Sequence, residues 1–281
     1  MFADLHIHSW YSDGKLSPEK IIQKAKSCNI TLISICDHEL IDVYEGFDNL
    51  CADNNINFIT GVEIIAVMDG EQYHILAYGF DTEDKALKEL LGYNRGILAD
   101  MGIRLIKNIS ADYPVLTLDE FSKYERNRKN GGWESVDYLK SKGLVNNVTD
   151  YFGFLDKYGS QSDKNFISAA EVIKIIRNAG GYAVLAHLGD NTGQNPEECQ
   201  KAAIKFLEMD IDGFECYYTS HTDEITEFLV NFCREHDLII TAGSDEHGGF
   251  NGEDYYIGSV KVKIEELELK NLIILGKDGL K

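Results

Sequence analysis

Positive charge is what this chain has least of: 27 lysines and arginines stand against 47 aspartates and glutamates, a formal net charge of −20 over 281 residues. A protein that grips the backbone of a long nucleic acid shows a basic footprint. This chain has none as a whole, so a long nucleic-acid partner is disfavoured. A small anionic substrate stays open wherever bound metal cations invert the local field. No run approaches 18 apolar residues, and Asp4, His6 and His8 interrupt any apolar leader at the start, so neither a membrane partner nor a secretory signal is expected. The six cysteines form no CxxC pair and no dense framework. Cys28, Cys36, Cys216 and Cys233 fall within apolar helix or strand patterns and read as buried free thiols, which points to a reducing, cytoplasmic setting. Internal repeats and low-complexity tracts are missing too, and nothing bears on oligomeric state. Length alone admits one (β/α) domain of about 250 residues with an insertion, or two domains.

What is there begins with Asp4-Leu5-His6-Ile7-His8-Ser9, followed by Asp13 and Gly14. Side chains alternate along a strand, so His6 and His8 point to one side, about 7 Å apart at roughly 3.3 Å of rise per residue. Asp13 falls in a turn closed by Gly14, which lets a carboxylate fold back towards the two rings. A His-x-His pair by itself is as often a satisfied core pair as a metal site. The remainder of the chain decides between them.

After this strand, Ser17-Pro18-Glu19 starts a helix whose buried face is Ile21, Ile22, Ala25 and Cys28. The apolar run Thr31–Cys36 reads as a buried parallel strand ending in Asp37-His38. Phe47–Asn54 is a helix, and Asn57–Val62 a third strand that leads into Glu63. Gln72–Tyr78, with His74, pairs with Ile64–Met68 across a turn at Asp69-Gly70. From Thr82 to about Asn108 the period becomes helical. Thr117–Glu120 forms a capping-box pattern, and Ser135–Lys142 and Thr149–Lys157 are short helices. Residues 82–166 contain no cluster that completes a metal site and read as a helical insertion or cap over it. The βα alternation resumes with a helix from Ser168, the strand Tyr182–Ala186 before His187, a helix from Pro196 to Met209, the strand Gly213–Tyr217, a helix from Asp223 to Glu235, and the strand Leu238–Ala242 before Gly243-Ser244-Asp245-Glu246-His247-Gly248. Residues 1–81 and 167–281 then make one discontinuous α/β domain.

Seven of the eight histidines fall at strand ends or in the loops after them; His236 alone sits in the last turn of a helix, where it complements the dipole. In (β/α) barrels the strands' C-terminal ends build the site, so His38, Glu63, His187, Asp245 and His247 would converge on His6 and His8. With Asp13 and His74 there are nine candidate ligands. A single structural zinc needs only four. Mixed imidazole and carboxylate donors suit Zn, Mn or Fe, and two or three divalent ions, bridged by a carboxylate and sharing a hydroxide, would use the whole set.

The stations Asp4–Ser9 with Ser12-Asp13-Gly14, Cys36-Asp37-His38, Gly61-Val62-Glu63, His74, Ala186-His187 and Gly243–Gly248 closely resemble, in order, the PHP (polymerase and histidinol phosphatase) superfamily. The resemblance implies a distorted (β/α)7 TIM-like barrel with a trinuclear site: His6, His8, Glu63 and Asp245 on one ion, Glu63, His74 and His187 on a second, Asp13, His38 and His247 on a third. Within the superfamily the chain is most similar to members with a helical insertion between the His74 and His187 stations, which include phosphatases of AMP and nucleoside 3',5'-bisphosphates and exonucleases of short RNA. Gly213–His221 fits that grouping. It implies that His221 contacts phosphate or protonates the leaving oxygen, beside Glu63 and Asp245 as the other catalytic groups. Where that subgroup carries Gly-Arg-Pro-His, this chain has Gly131-Gly132-Trp133-Glu134, so the phosphate-clamping arginine is missing from its expected place. Arg126 or Arg128 are its candidate replacements, and Trp133 is a candidate stacking surface. The expected activity is hydrolysis of a small phosphomonoester, a nucleotide first, by a metal-bridging hydroxide. Histidinol-phosphate phosphatase, a short-oligonucleotide exonuclease and a non-catalytic metal-braced binding module are the alternatives.

Overall fold

A computed structural model describes residues 1–146, 148–159, 165–249 and 254–276. Its strands form two sheets. The first holds β1 (Phe2–Ile7), β2 (Ile30–Ile35), β3 (Asn57–Phe58) and β9 (Val262–Lys263) in the order β3-β2-β1-β9; the second runs β4 (Gly61–Met68), β5 (Glu71–Tyr78), β6 (Tyr182–Leu185), β7 (Gly213–Tyr218) and β8 (Ile239–Gly243) in sequence order. Strands β1–β2, β6–β7 and β7–β8 pair in parallel, while β4–β5 and β5–β6 are antiparallel. The β4–β5 hairpin turns through Asp69 and Gly70, both at positive φ (54° and 85°), the backbone that a two-residue hairpin loop needs.

The expected α/β class holds, whereas a closed seven-stranded barrel does not describe these ladders. The sheets meet through single parallel bridges, Ile7 with Glu246 and His38 with Glu63. Main-chain hydrogen bonds at this seam join residues of the candidate site: Asp245 N–H to the His6 carbonyl (2.8 Å), His8 N–H to Glu246 (2.9 Å) and Glu39 N–H to Glu63 (3.0 Å). The expected strand Asn57–Val62 is also divided, its two parts lying in different sheets. At Gly61 the chain passes so close to β2 that a β-carbon would lie 2.2 Å from Ser34 Oγ. Glu63 is therefore the third residue of β4 and His74 the fourth of β5, away from the C-terminal strand ends.

Helices cover the sheets for local reasons. In α1 (Pro18–Ser27) the Ser17 side chain accepts from Lys20 N–H, and Ile21, Ile22 and Ala25 are buried. Each such isoleucine stabilises the fold by about 1.5–3 kcal/mol. The helix α2 (Phe47–Asn54) buries Phe47 and Cys51 beside β2 and β3. Helix α3 (Lys85–Ser110) packs its first turns, Leu87, Leu90 and Leu91, on the main core. Its last turns, Leu105, Ile106 and Ile109, join a separate core with α4 (Leu118–Phe121), α5 (Glu134–Ser141) and α6 (Val148–Tyr158). That second core gives the 82–166 region its own apolar centre. The chain returns through α7 (Ala169–Asn178), α8 (Leu188–Asn191), α9 (Pro196–Glu208) and α10 (Asp223–Glu235), each of the long ones capped by Ser168, Asn195 or Thr222. No helix among the described residues is long and apolar enough to cross a membrane.

Candidate metal centre

β1 ends at Ile7, and the rings of His6 and His8 face one another with Nε2 atoms 3.1 Å apart. Glu63 is the hub. Its Oε1 lies 2.9 Å from His74 Nδ1 and 3.1 Å from His187 Nε2, and its Oε2 lies 3.1 Å from His8 Nε2 and 3.3 Å from both His6 Nε2 and His38 Nδ1. Asp245 Oδ1 approaches His8 Nε2 (3.1 Å) and His6 Nε2 (3.4 Å). Asp13 Oδ2 approaches His247 Nε2 (3.3 Å), and its Oδ1 approaches His8 Nδ1 (3.5 Å). All nine residues named from the sequence thus come together, seven of them buried and His74 and His187 less so.

The residues fit metal ions on their own chemistry. Among the described residues three groups bring donor atoms within 4.8 Å of one another: His6, His8, Glu63 and Asp245; His8, Asp13, His38 and His247; and His38, Glu63 and His74. His8 Nδ1, His38 Nδ1 and Glu63 Oε2 are buried without a hydrogen-bond partner, which is costly unless a further group satisfies them. The ionisation of these groups reflects the same packing of charge. Burial opposes ionisation of Glu63 and Asp245, yet the surrounding histidines hold both carboxyls below their ordinary range. Burial opposes the charge on His8 as well, but the carboxylates of Asp245 and Glu63 beside it lift it to about 10; burial prevails at His38, which falls to about 3. The first and second groups match two of the expected ion sets, the second with His8 added. The third joins His74 and Glu63 with His38, where the expected partner was His187.

Several buried carboxylates to which the sequence reading gave no role hold these ligands in place. Glu215 Oε1 accepts from His6 Nδ1–H at 3.0 Å and Oε2 accepts from the His187 main-chain N–H at 2.9 Å. Its signal was an acid inside the otherwise apolar strand Gly213–Tyr218, since a buried carboxylate must be partnered. Asp37 accepts from the N–H and hydroxyl of both Ser9 and Ser12, fixing the turn that carries Asp13. Asp4 accepts from Ser244 and Gly258 N–H and ties down the Asp245 loop. Tyr218 donates to Asp245 Oδ2 at 3.0 Å. Gly243 allows β8 to lie against this array: a β-carbon there would sit 2.2 Å from His6 Cβ and 2.4 Å from Glu215 Oε1. Gly243→Ala is expected to destabilise the protein by about 1–3 kcal/mol through overpacking, read as a lower urea midpoint; an unchanged midpoint would show that the seam relaxes freely.

A cavity of about 1890 Å³ opens above the cluster, lined on one side by the ligands and on the other by residues of the 82–166 region. Trp133 and Arg128 line it: the Trp133 ring lies 5.3 Å from that of His38, and the exposed Arg128 guanidinium lies 5.2 Å over the Tyr11 ring. Arg126 lines it too, although its guanidinium donates to the carbonyls of Trp10, Ser12 and Gly132. His221 departs from its expected role. Its Nδ1–H donates to the Cys216 carbonyl (3.1 Å) and its Nε2 accepts from Gly189 N–H (3.0 Å), so both nitrogens are taken by backbone and neither is free to meet phosphate. Burial lowers its pKa, in keeping with that neutral ring.

An imidazole and carboxylate nest beneath a cavity, on an α/β frame, defines a metal-dependent hydrolase. The model of the PHP domain matches residues 4–208. The chain belongs to the PHP domain family, and with it to the metal-dependent phosphoesterases. It is 29% identical over 259 residues to a 5'-3' exoribonuclease of Haemophilus influenzae, covering 87% of this chain and 89% of that protein. A 3',5'-nucleoside bisphosphate phosphatase of Chromobacterium violaceum is 25% identical, with 89% of each covered. Among solved structures, one from Bifidobacterium adolescentis, provisionally assigned as a metal-dependent phosphoesterase, superposes with a TM-score of 0.77 at 25% identity, covering 94% of this chain and 93% of the other.

Proposed function

We propose that the protein removes phosphate from a small nucleotide, AMP or a nucleoside 3',5'-bisphosphate, with two or three divalent ions of Mn, Zn or Fe. The observation that carries this reading is the gathering of nine ligand residues at the floor of the cavity, five histidines among them meeting Glu63. His6, His8, Glu63 and Asp245 would hold one ion, Asp13, His38 and His247 with His8 another, and His74 with Glu63 and either His38 or His187 a third. Bound there, such ions neutralise phosphoryl oxygens and make water a competent nucleophile near neutral pH.

The chain's own groups orient the substrate. The exposure of Arg128 at the cavity wall, braced on Tyr11, supports a role in meeting phosphate, and the Trp133 face in the same wall supports stacking of a base. Glu215, Asp37 and Tyr218 keep the ligands in register. The six unpaired cysteines support the cytoplasmic reading.

A second reading is a short 5'-phosphorylated oligonucleotide. The cavity's size supports it, since about 1890 Å³ exceeds the roughly 300–1,000 Å³ usual for small-molecule pockets, and so does the activity named for the Haemophilus relative. The deciding experiment is phosphate release, after loading with Mn, Zn or Fe, from AMP, a 3',5'-bisphosphate, histidinol phosphate and a phosphorylated trinucleotide. Turnover of a mononucleotide supports the first reading, and preference for the trinucleotide the second. Histidinol phosphate as the best substrate, or none, sinks both. Arg128→Ala is expected to raise KM for the good substrate about tenfold with kcat little changed, the signature of a lost ground-state contact; an unchanged KM removes Arg128 from the phosphate site.

A further inference from the structure

Arg126 carries a function other than the one its position in the cavity suggests. A phosphate-binding arginine presents its N–H fork to the anion. Here Nη2 donates to the Trp10 carbonyl at 2.8 Å, and Nη1 donates to the carbonyls of both Ser12 and Gly132. These acceptors lie on both sides of the boundary between the insertion and the turn that presents Asp13. With the bonds to Trp10 and Ser12, a third hydrogen bond crosses the same boundary, from Gly132 N–H to the Asp13 carbonyl at 2.7 Å. Gly131 fits so tightly there that a β-carbon would come within 2.7 Å of Lys15 Cγ.

The insertion also holds Arg126 rigidly from behind. Buried Asp137, on α5, accepts from Asn127 N–H (2.7 Å) and the Tyr124 hydroxyl (3.0 Å) through Oδ2, and from Asn130 Nδ2 (2.6 Å) through Oδ1. One carboxylate thereby shapes the 124–130 loop that delivers the guanidinium. The chain of contacts runs from the insertion's own core through Asp137 and Arg126 to the Asp13 turn.

We propose that Arg126 is a positioning residue: it locks the Trp10–Asp13 turn to the insertion, and so completes the donor group of His8, Asp13, His38 and His247. The inference rests on the reading of that group as an ion site. It makes the insertion a structural part of the metal centre as well as a wall of the cavity, and explains why the cation at this place faces carbonyls.

The test is metal content by mass spectrometry, on full-length protein loaded with excess Mn and freed of unbound ion, for wild type, Arg126→Ala and Arg126→Gln, with kcat and KM beside it. Arg126→Ala is expected to retain about one ion fewer per chain than wild type. Its kcat should fall by about tenfold or more, as when a ligand's supporting partner is lost, while KM stays within about twofold. Arg126→Gln keeps the stem and fewer donors, and should bind the last ion with an affinity between the two; it also serves should the alanine variant lose its circular-dichroism signature. Wild-type metal content in a folded variant, with KM raised tenfold, would make Arg126 a phosphate contact and overturn the proposal. Wild-type protein that binds no ion overturns the ion-site reading, and this inference with it.

Discussion

Asp245→Asn is expected to cut phosphate release by about 10³-fold while leaving the protein folded. Asp245 touches three histidines through one oxygen, Oδ1, which lies 3.1–3.4 Å from nitrogens of His8, His6 and His247. Its other oxygen accepts from Tyr218. The carboxamide keeps the shape and removes the charge, and loss of several kcal/mol of charge stabilisation at a metal centre corresponds to about a thousandfold in rate. Asparagine is the right replacement for a second reason. The backbone here has φ +55°, which asparagine tolerates and β-branched residues do not. Metal content measured alongside separates a lost ion from a misplaced one. Activity within tenfold of wild type would show that Asp245 is dispensable to the centre.

The second large effect is a metal-induced rise in melting temperature that grows with pH. A ligand at 100 times its Kd stabilises by about 2.7 kcal/mol, and about 1 kcal/mol moves Tm by roughly 2–4 °C in a domain approaching this size. Each well-filled site should therefore add about 5–10 °C. The pH dependence follows from the histidines. In the metal-free protein burial disfavours charge on His8 and His247, but their carboxylate neighbours raise both, His8 to about 10. A group whose folded pKa is raised stabilises fully below its unfolded value, about 6.5, and this contribution fades as pH climbs towards 10. Metal-free protein should lose stability across that window. Metal binding requires the deprotonated rings, so its increment should increase over the same range. Melting curves with EDTA and with Mn, from pH 6.5 to 9, measure both. An increment that shrinks as pH rises would show that the ions do not replace protons on these rings.

Much of the site is legible in the chain because its signals are local. His6 and His8 are read from strand alternation, Asp13 from a glycine-closed turn, and the Asp69-Gly70 hairpin from its turn residues. The helices expected at Phe47–Asn54 and Asp223–Glu235 are found at those bounds, the second capped by the Thr222 side chain. Less legible was the strand that breaks at Gly61. The run from Asn57 to Val62 reads as one strand, whereas the change of sheet falls where Gly61 passes against Ser34 of β2 and Cys36 just beyond it.

The amino-acid sequence by itself determined which nine residues could serve as ligands, the order in which they arrive, and the α/β class, because residue type and period are properties of short segments. The tertiary structure decided who shares an oxygen with whom: Glu63 as the common partner of five histidines, Glu215 behind His6 across 209 residues of chain, His221 turned to backbone, and Arg126 fastened to carbonyls. Those outcomes depend on how two sheets and an insertion pack against one another, and buried polar groups then take the nearest partner that the packing supplies.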